Sequence, residues 1–157
     1  MVILQTQAAL HTRLYLNCLD SLDDAAVRWR AEGRSNSALF VAAHLVDSRA
    51  WTARMLGLDI PAPFGGALKY GTSIEDVPHL PGLEEVTDEW TAVSALLEAQ
   101  LAALSVEDLA APSLQRFPVD DPSVGGSLAF LMHHEAYHIG QLALLRRAVG
   151  FPAMKYR

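Results

Sequence analysis

Two histidines lie one helical turn apart near the C-terminal end of the chain, in the run HHEAYHIGQ at residues 133–141. On a helix, His134 and His138 are at positions i and i+4, so their rings project from one face. Two imidazoles in that arrangement can bind one metal ion at roughly 2.0–2.1 Å each. A third histidine, His44, lies in the middle of another apolar helical pattern. Three such nitrogens facing one interior predict a metal site with open coordination positions.

The cost of burying three imidazoles favours this prediction. Each ring has two polar nitrogens, and a buried polar nitrogen without a partner costs free energy. One divalent cation satisfies three nitrogens at once. The alternative is a purely structural cluster in which each ring bonds to a backbone or side-chain group. Imidazole ligands suit Zn²⁺, Ni²⁺, Cu²⁺ and Fe²⁺, so ligand type alone does not choose among these metals. We expect zinc or nickel.

Four further polar side chains lie near the predicted site, and the sequence leaves most of their roles open. His133 lies off the face of the other two histidines, and we expect it behind the ligands or at the rim rather than on the metal. His11 is on the inner face of the first predicted helix, either in the core or lining the site. Gln141 is placed either to bond a ligand or to make a structural bond between helices. Tyr137 is a core residue, a rim residue or a proton donor.

Residues 134–138 also spell HExxH, a zinc-peptidase pattern in which Glu135 would be the general base. That chemistry needs a third ligand, and residues 139–157 contain no Asp, Glu or His. A ferritin-like di-iron site would use Glu135 and His138 as an ExxH motif, with a second such motif elsewhere. It also needs inward glutamates on other helices, and the second predicted helix has none. The sequence disfavours both alternatives.

Helical periodicity and capping signals predict an all-α fold, a four-helix bundle. The second helix follows the polar cluster at residues 34–37, and the fourth starts at an N-cap residue. Residues 57–82 are rich in glycine and proline, which predicts a long crossover that lets the second and third helices run parallel. The predicted helices are Leu4–Leu19, a second ending near Leu56, Leu83–Leu104, and a fourth from Ser123 to about Val149.

The remaining segments are expected to be short or irregular. Ala25–Trp29 is a short helical extension after a break, and 108–126 is the next connection. On the second helix, His44 is central in the inward-facing arc. Arg49 projects from the far side of that helix, where we expect it to be solvated.

Composition and charge limit the possible functions. The chain has 157 residues, which predicts a single domain at 1–157. Its net charge is −6 and no basic cluster exceeds the pair Arg146-Arg147, so we expect no nucleic-acid partner. There is no signal-peptide pattern and no apolar run of about 18 residues, so we expect no membrane partner. Cys18 is the only cysteine, which fits a cytoplasmic location.

The position of His44, the HxxxHxGQL pattern at residues 134–142 and the leucine- and arginine-rich run closing at Gly150 resemble the DinB-like (DinB/YfiT) family. The likeness covers essentially the whole chain. It implies a four-helix bundle with a divalent metal held by three histidines, here His44, His134 and His138, and it implies a homodimer. Characterised relatives include transferases that use bacterial low-molecular-weight thiols such as bacillithiol or mycothiol. A thiol-dependent isomerase and metal-dependent hydrolases are related.

The motif and the resemblance favour a metal-dependent enzyme, a thiol S-transferase or a hydrolase acting on a small-molecule substrate. A low-molecular-weight thiol is the expected co-substrate of the transferase. A second hypothesis is a non-catalytic dimeric metal-binding bundle in a stress response. A third is a structural bundle without metal. The sequence assigns no catalytic residue beyond the three ligands and no particular substrate, because the same fold serves many reactions.

Overall fold

Six α-helices, four of them long, make up the regular structure of residues 2–68 and 71–156, the parts that the computed structural model describes. Within those ranges there is no β-strand, and no helix is long and apolar enough to cross a membrane. The predicted all-α class and the bundle of four long helices are confirmed. The helices are α1 (Val2–Leu19), α2 (Asp24–Arg28), α3 (Ala38–Met55), α4 (Leu83–Ala103), α5 (Val106–Ala110) and α6 (Val124–Ala148).

The ends of α3 and α6 follow the local signals in the sequence. The Ser37 hydroxyl accepts a hydrogen bond from the backbone N–H of Phe40, which caps the start of α3. Ser123 caps α6 in the same way through Gly126. Gly57, with a φ of 92°, lies in the left-handed region just after α3, where a side chain would be strained. Local chemistry therefore fixes where these two helices begin and where α3 ends.

The connection predicted at 108–126 differs at its start, because α5 extends into it. Ser105 and Asp108 form a capping box, in which each side chain bonds the other's backbone N–H. This reciprocal cap stabilises a five-residue helix that its apolar pattern is too short to reveal.

Hydrogen bonds between helices give their directions. Gln100, near the end of α4, donates to the carbonyl of Leu56 at the end of α3 (2.9 Å), so these helices run parallel. Gln5, near the start of α1, donates to the carbonyl of Leu101 (3.3 Å), so α1 is antiparallel to α4. The crossover therefore joins opposite ends of the bundle, as predicted. It includes short 3₁₀ turns at Pro63–Gly66 and Ile74–Asp76.

Aromatic stacking and aliphatic packing fill the interior between the long helices. Tyr15 of α1 stacks on Trp90 of α4, with ring centroids 3.9 Å apart. Cys18 is fully buried in the same cluster. Burial raises the pKa of its thiol to about 11, against the opposing charge of Arg146. From the crossover, Leu68 is also buried in this core, so the crossover packs against the bundle.

Candidate metal centre

The three predicted histidines meet between α3 and α6. Nε2 of His134 lies 3.1 Å from Nε2 of His138 and 3.4 Å from Nε2 of His44. The centroids of the His44 and His138 rings are 4.9 Å apart. One nitrogen from each residue lies within 4.8 Å of the other two, and all three side chains are half-buried. The structure thus brings together residues that are ninety positions apart in the chain, and together they could hold a metal ion.

The opposite edge of each ring contacts an oxygen. Nδ1 of His44 lies 3.0 Å from the carbonyl oxygen of Leu68, and Nδ1 of His138 lies 2.7 Å from Oε1 of Gln141. Because these oxygens only accept, the hydrogens of both rings are on Nδ1. Nδ1 of His134 lies 3.4 Å from the Ser48 hydroxyl. Lone pairs on Nε2 of His44 and His138 therefore face the centre of the cluster.

The spacing of these nitrogens fits a shared cation. Two ligands at 2.0–2.1 Å from a tetrahedral metal are roughly 3.3 Å apart, close to both Nε2 distances given above. A hydrogen on Nε2 of His134 could be donated to only one of its two neighbours, leaving the other lone pair unpartnered. A divalent cation can accept one lone pair from each of the three rings. Outer hydrogen bonds that fix the ring orientation, like those to Leu68 and Gln141, are typical of metal-binding histidines.

Electrostatics keeps the cluster in the form that binds metal. Burial, followed by the nearby His138 and His44, lowers the pKa of His134 to about 4. Burial also lowers the pKa of His138, although the hydrogen bond to Gln141 opposes the change. Both rings are therefore neutral at physiological pH, and only neutral imidazole offers a lone pair to a cation.

Arg49 is buried next to this cluster, and the prediction that it is solvated was wrong. Its side chain is 0% exposed because it projects into the bundle interior, where α4 packs against α3 and the guanidinium reaches Thr12 of α1. Its Nε donates to Oε1 of Glu135 at 2.8 Å, and its terminal NH2 donates to Oε2 at 2.5 Å. Such a two-pronged pair is the strongest geometry available to an arginine and a carboxylate.

Every long helix contributes to the network around this ion pair. The Arg49 guanidinium also donates to Thr12 of α1 and Ser94 of α4, both at 2.7 Å. It stacks 3.7 Å from the centre of the Trp90 ring. Nδ1 of His11 lies 3.1 Å from Oε2 of Glu135. His11 is thus a core residue, one of the two roles that the sequence left open.

Glu135 is not available as a general base at the histidine cluster. Burial alone would raise the pKa of its carboxyl, but the charge and hydrogen bonds of Arg49, with those of His11, lower it to about 2. The carboxylate is 2% exposed and both its oxygens are occupied. The HExxH and di-iron interpretations both require this carboxylate to face the metal, so the structure disfavours them as the sequence does.

Three other polar residues of α6 lie around the histidine cluster. His133 is exposed, outside the histidine cluster, as predicted for a rim residue. Tyr137 is 59% exposed, with its ring centroid 5.1 Å from that of His138. Oε1 of Gln141 contacts Nδ1 of His138 on its own helix, a contact that the sequence analysis did not predict. Sequence reasoning missed Leu68, whose contact with His44 depends on the path of the crossover.

A helical bundle with three convergent imidazoles is thus the class of protein that the fold and site define. The family model of the DinB superfamily matches residues 7–142, a span that includes His44, His134 and His138. The chain belongs to the DinB superfamily. No curated protein matched the chain in a direct comparison.

Proposed function

We propose that His44, His134 and His138 bind one divalent cation, zinc or nickel, and that the protein is a metal-dependent enzyme. The observation that carries the proposal is the convergence of three Nε2 atoms whose rings are held from behind. Hydrogen bonds to Leu68 and Gln141 turn lone pairs of two rings toward one point. Three protein ligands leave coordination positions for exchangeable molecules, as catalytic sites do.

A cation bound here would lower the pKa of a water molecule bound to it, or would hold a bound thiol as its thiolate. The residues around it orient the ligands and leave the solvent side open. Glu135 is held by Arg49 and takes no proton from the substrate. Tyr137, exposed beside His138, is our candidate for donating a proton at the rim.

For the reaction we propose thiol S-transfer or hydrolysis of a small molecule. The support is the membership of the DinB superfamily and the donor set, because a metal held by neutral imidazoles keeps enough positive charge to stabilise a bound thiolate. A low-molecular-weight thiol of the bacillithiol or mycothiol type would be the co-substrate. The hydrolase would use bound water instead.

Metal content of untagged protein tests the site. We expect about one metal ion per chain in the wild type, because three converging ligands form one site. Single substitutions His44→Ala, His134→Ala and His138→Ala should each lose the metal while circular dichroism stays helical. His133→Ala is the matched control, since it removes an exposed neighbouring imidazole. Equal metal content in all four variants, or none in the wild type, would contradict the proposal.

Cobalt-substituted protein tests the open position and the thiol. Adding cysteine as a probe thiol should produce a thiolate-to-cobalt charge-transfer band, because the sulfur enters the coordination sphere. The band should be missing in His134→Ala. If millimolar thiol does not change the wild-type spectrum, the proposed thiol S-transfer is contradicted. A spectral change on adding azide would then show that the metal still has an open coordination position.

The sequestered Glu135 favours one second candidate, a non-catalytic dimeric bundle in which the metal clamps α3 to α6. A clamp predicts a large fall in melting temperature on chelation and no change in the cobalt spectrum with thiol or azide. We propose a homodimer in either case, on the resemblance to the family. Light scattering during gel filtration should give twice the chain mass, and a monomer mass at micromolar concentration would contradict it.

A further inference from the structure

A cavity of about 500 Å³ lies beside the C-terminal half of α3, away from the histidines. This volume falls within the roughly 300–1,000 Å³ typical of small-ligand pockets. Trp51 and Met55 of α3 and Val124 of α6 give it apolar walls, and residues 112–115 form its outer side. Among the described residues that line it, Arg54 is the only charged one.

Arg54 is free to meet an anion. One of its nitrogens donates to the carbonyl of Pro61 at 3.1 Å, and it forms no ion pair with any residue that the structure describes. Asp47 is close enough for its charge to interact with Arg54 and to offset part of the positive potential. A single, partly offset guanidinium favours a monoanion, such as a carboxylate, over a phosphate that would recruit several donors.

The cavity adjoins the histidine cluster through one aromatic wall. Trp51 follows Ser48 by three residues, roughly 4.5 Å along the helix axis, and Ser48 contacts His134. Phe117 lies between the helices, with its centroid 5.8 Å from Trp51 of α3 and 4.9 Å from Phe130 of α6. Phe130 is one turn before His134. The same two helix faces therefore carry the cavity and the three imidazoles.

We propose that this cavity binds small amphipathic carboxylates. The apolar body packs on Trp51 and Met55, and the carboxylate accepts hydrogen bonds from Arg54. This binding does not rest on the proposed function, because no histidine of the metal centre lines the cavity.

Calorimetry with two probes of equal length tests the binding. We expect 4-phenylbutyrate to bind the wild type at least tenfold more tightly than 4-phenylbutan-1-ol, because only the acid can pair with Arg54. The substitution Arg54→Met keeps most of the side-chain length and should abolish that preference. Trp51→Leu should weaken both probes, because it removes the apolar wall. Equal affinities for the two probes in the wild type would overturn the proposal.

A matched control and a ligand variant separate this site from the metal centre. Arg147 is an exposed arginine at the end of α6 far from the cavity, and like Arg54 it donates to a nearby backbone carbonyl. Arg147→Met should leave the affinities for both probes unchanged. His134→Ala should still prefer the acid to the alcohol. If His134→Ala loses the preference while Arg54→Met keeps it, the anion binds at the imidazoles and the cavity is not its site. If the wild type contains no metal but its preference for the acid still depends on Arg54, this inference stands and the proposed function fails.

Discussion

Two polar clusters lie side by side in this bundle and are built from consecutive residues. Ser48 and His134 belong to the half-exposed histidine cluster, whereas Arg49 and Glu135 form the core of a sealed one. One step along a helix rotates a side chain by about 100°, which is enough to place neighbours in different environments. The comparison shows that adjacent polar residues on one helix can have unrelated roles.

The clusters differ in whether their polar groups are matched. In the sealed cluster the charges of Arg49 and Glu135 balance, and Thr12, Ser94 and His11 satisfy the remaining groups. In the open cluster three Nε2 atoms face one another without enough hydrogens to pair them. The sealed cluster pairs its polar groups within the protein, whereas the open cluster points three nitrogens at a place where a cation could bind.

Removing one partner of the sealed pair should have the largest effect. Arg49→Met leaves the Glu135 charge buried and unpaired, which costs about 3–5 kcal/mol of unfolding free energy. The double variant Arg49→Met/Glu135→Leu removes both charges and should recover most of that loss. Urea denaturation measures all three proteins. A double variant as unstable as Arg49→Met would mean that the pair is not the source of the effect.

Acid should affect the two clusters in separate pH windows in metal-free protein. The pKa of His134 is lowered from 6.5 to about 4, so its contribution to stability is lost as pH falls across that interval. The pKa of Glu135 is lowered from 4.5 to about 2, so its contribution is complete above 4.5 and disappears below it.

Stability measured by urea denaturation at a series of pH values should therefore fall in two steps. His134→Ala should reduce the upper step, to which His138 also contributes, and Glu135→Gln should reduce the lower one, because each removes a titrating group. A single step that both variants share would show that the two clusters titrate as one unit.

Metal should stabilise the open cluster alone. Zinc at a hundred times its dissociation constant should add about 2.7 kcal/mol to the free energy of unfolding, because it binds only the folded chain. The same increase is expected in His133→Ala and none in His134→Ala. Thermal melts with and without zinc measure this, and stabilisation of His134→Ala would place the metal elsewhere.

The groups behind the rings should have smaller, graded effects. Gln141→Leu removes the 2.7 Å contact that orients His138 and should weaken metal binding about 10- to 100-fold. Ser48→Ala removes only a 3.4 Å contact to His134 and should weaken it less. Competition with a chelating dye measures both affinities. The reverse order would mean that the Ser48 contact orients its ring more strongly than its length suggests.

The sequence predicts the histidine cluster because the relevant information is local. His134 and His138 share a face by helical spacing alone, and His44 is central in the inward arc of its helix. Ser37 and Ser123 mark helix starts through bonds to residues three positions away. These features need no knowledge of which helices become neighbours.

The sealed cluster was missed because it depends on packing between distant segments. Helical periodicity places Arg49 opposite His44, but the face opposite a site is solvated only if no other helix covers it. Here α4 packs against α3 and Arg49 lies in the interior between the helices, so the far side of α3 is core. One clue was present: Glu135 is the only acidic residue after Asp121. An acidic side chain is rarely fully buried without a partner, so a glutamate on the inward side of a helix indicates a buried cation.

The bond between His44 and the backbone of Leu68 has a consequence for how this protein is dissected. Its acceptor is a main-chain oxygen, which every amino acid carries, so scanning mutagenesis at residue 68 keeps the acceptor and would underreport its importance. What determines that oxygen's position is the route and length of the connecting segment. Insertions and deletions within 57–82 are therefore the appropriate genetic tool for this side of the histidine cluster.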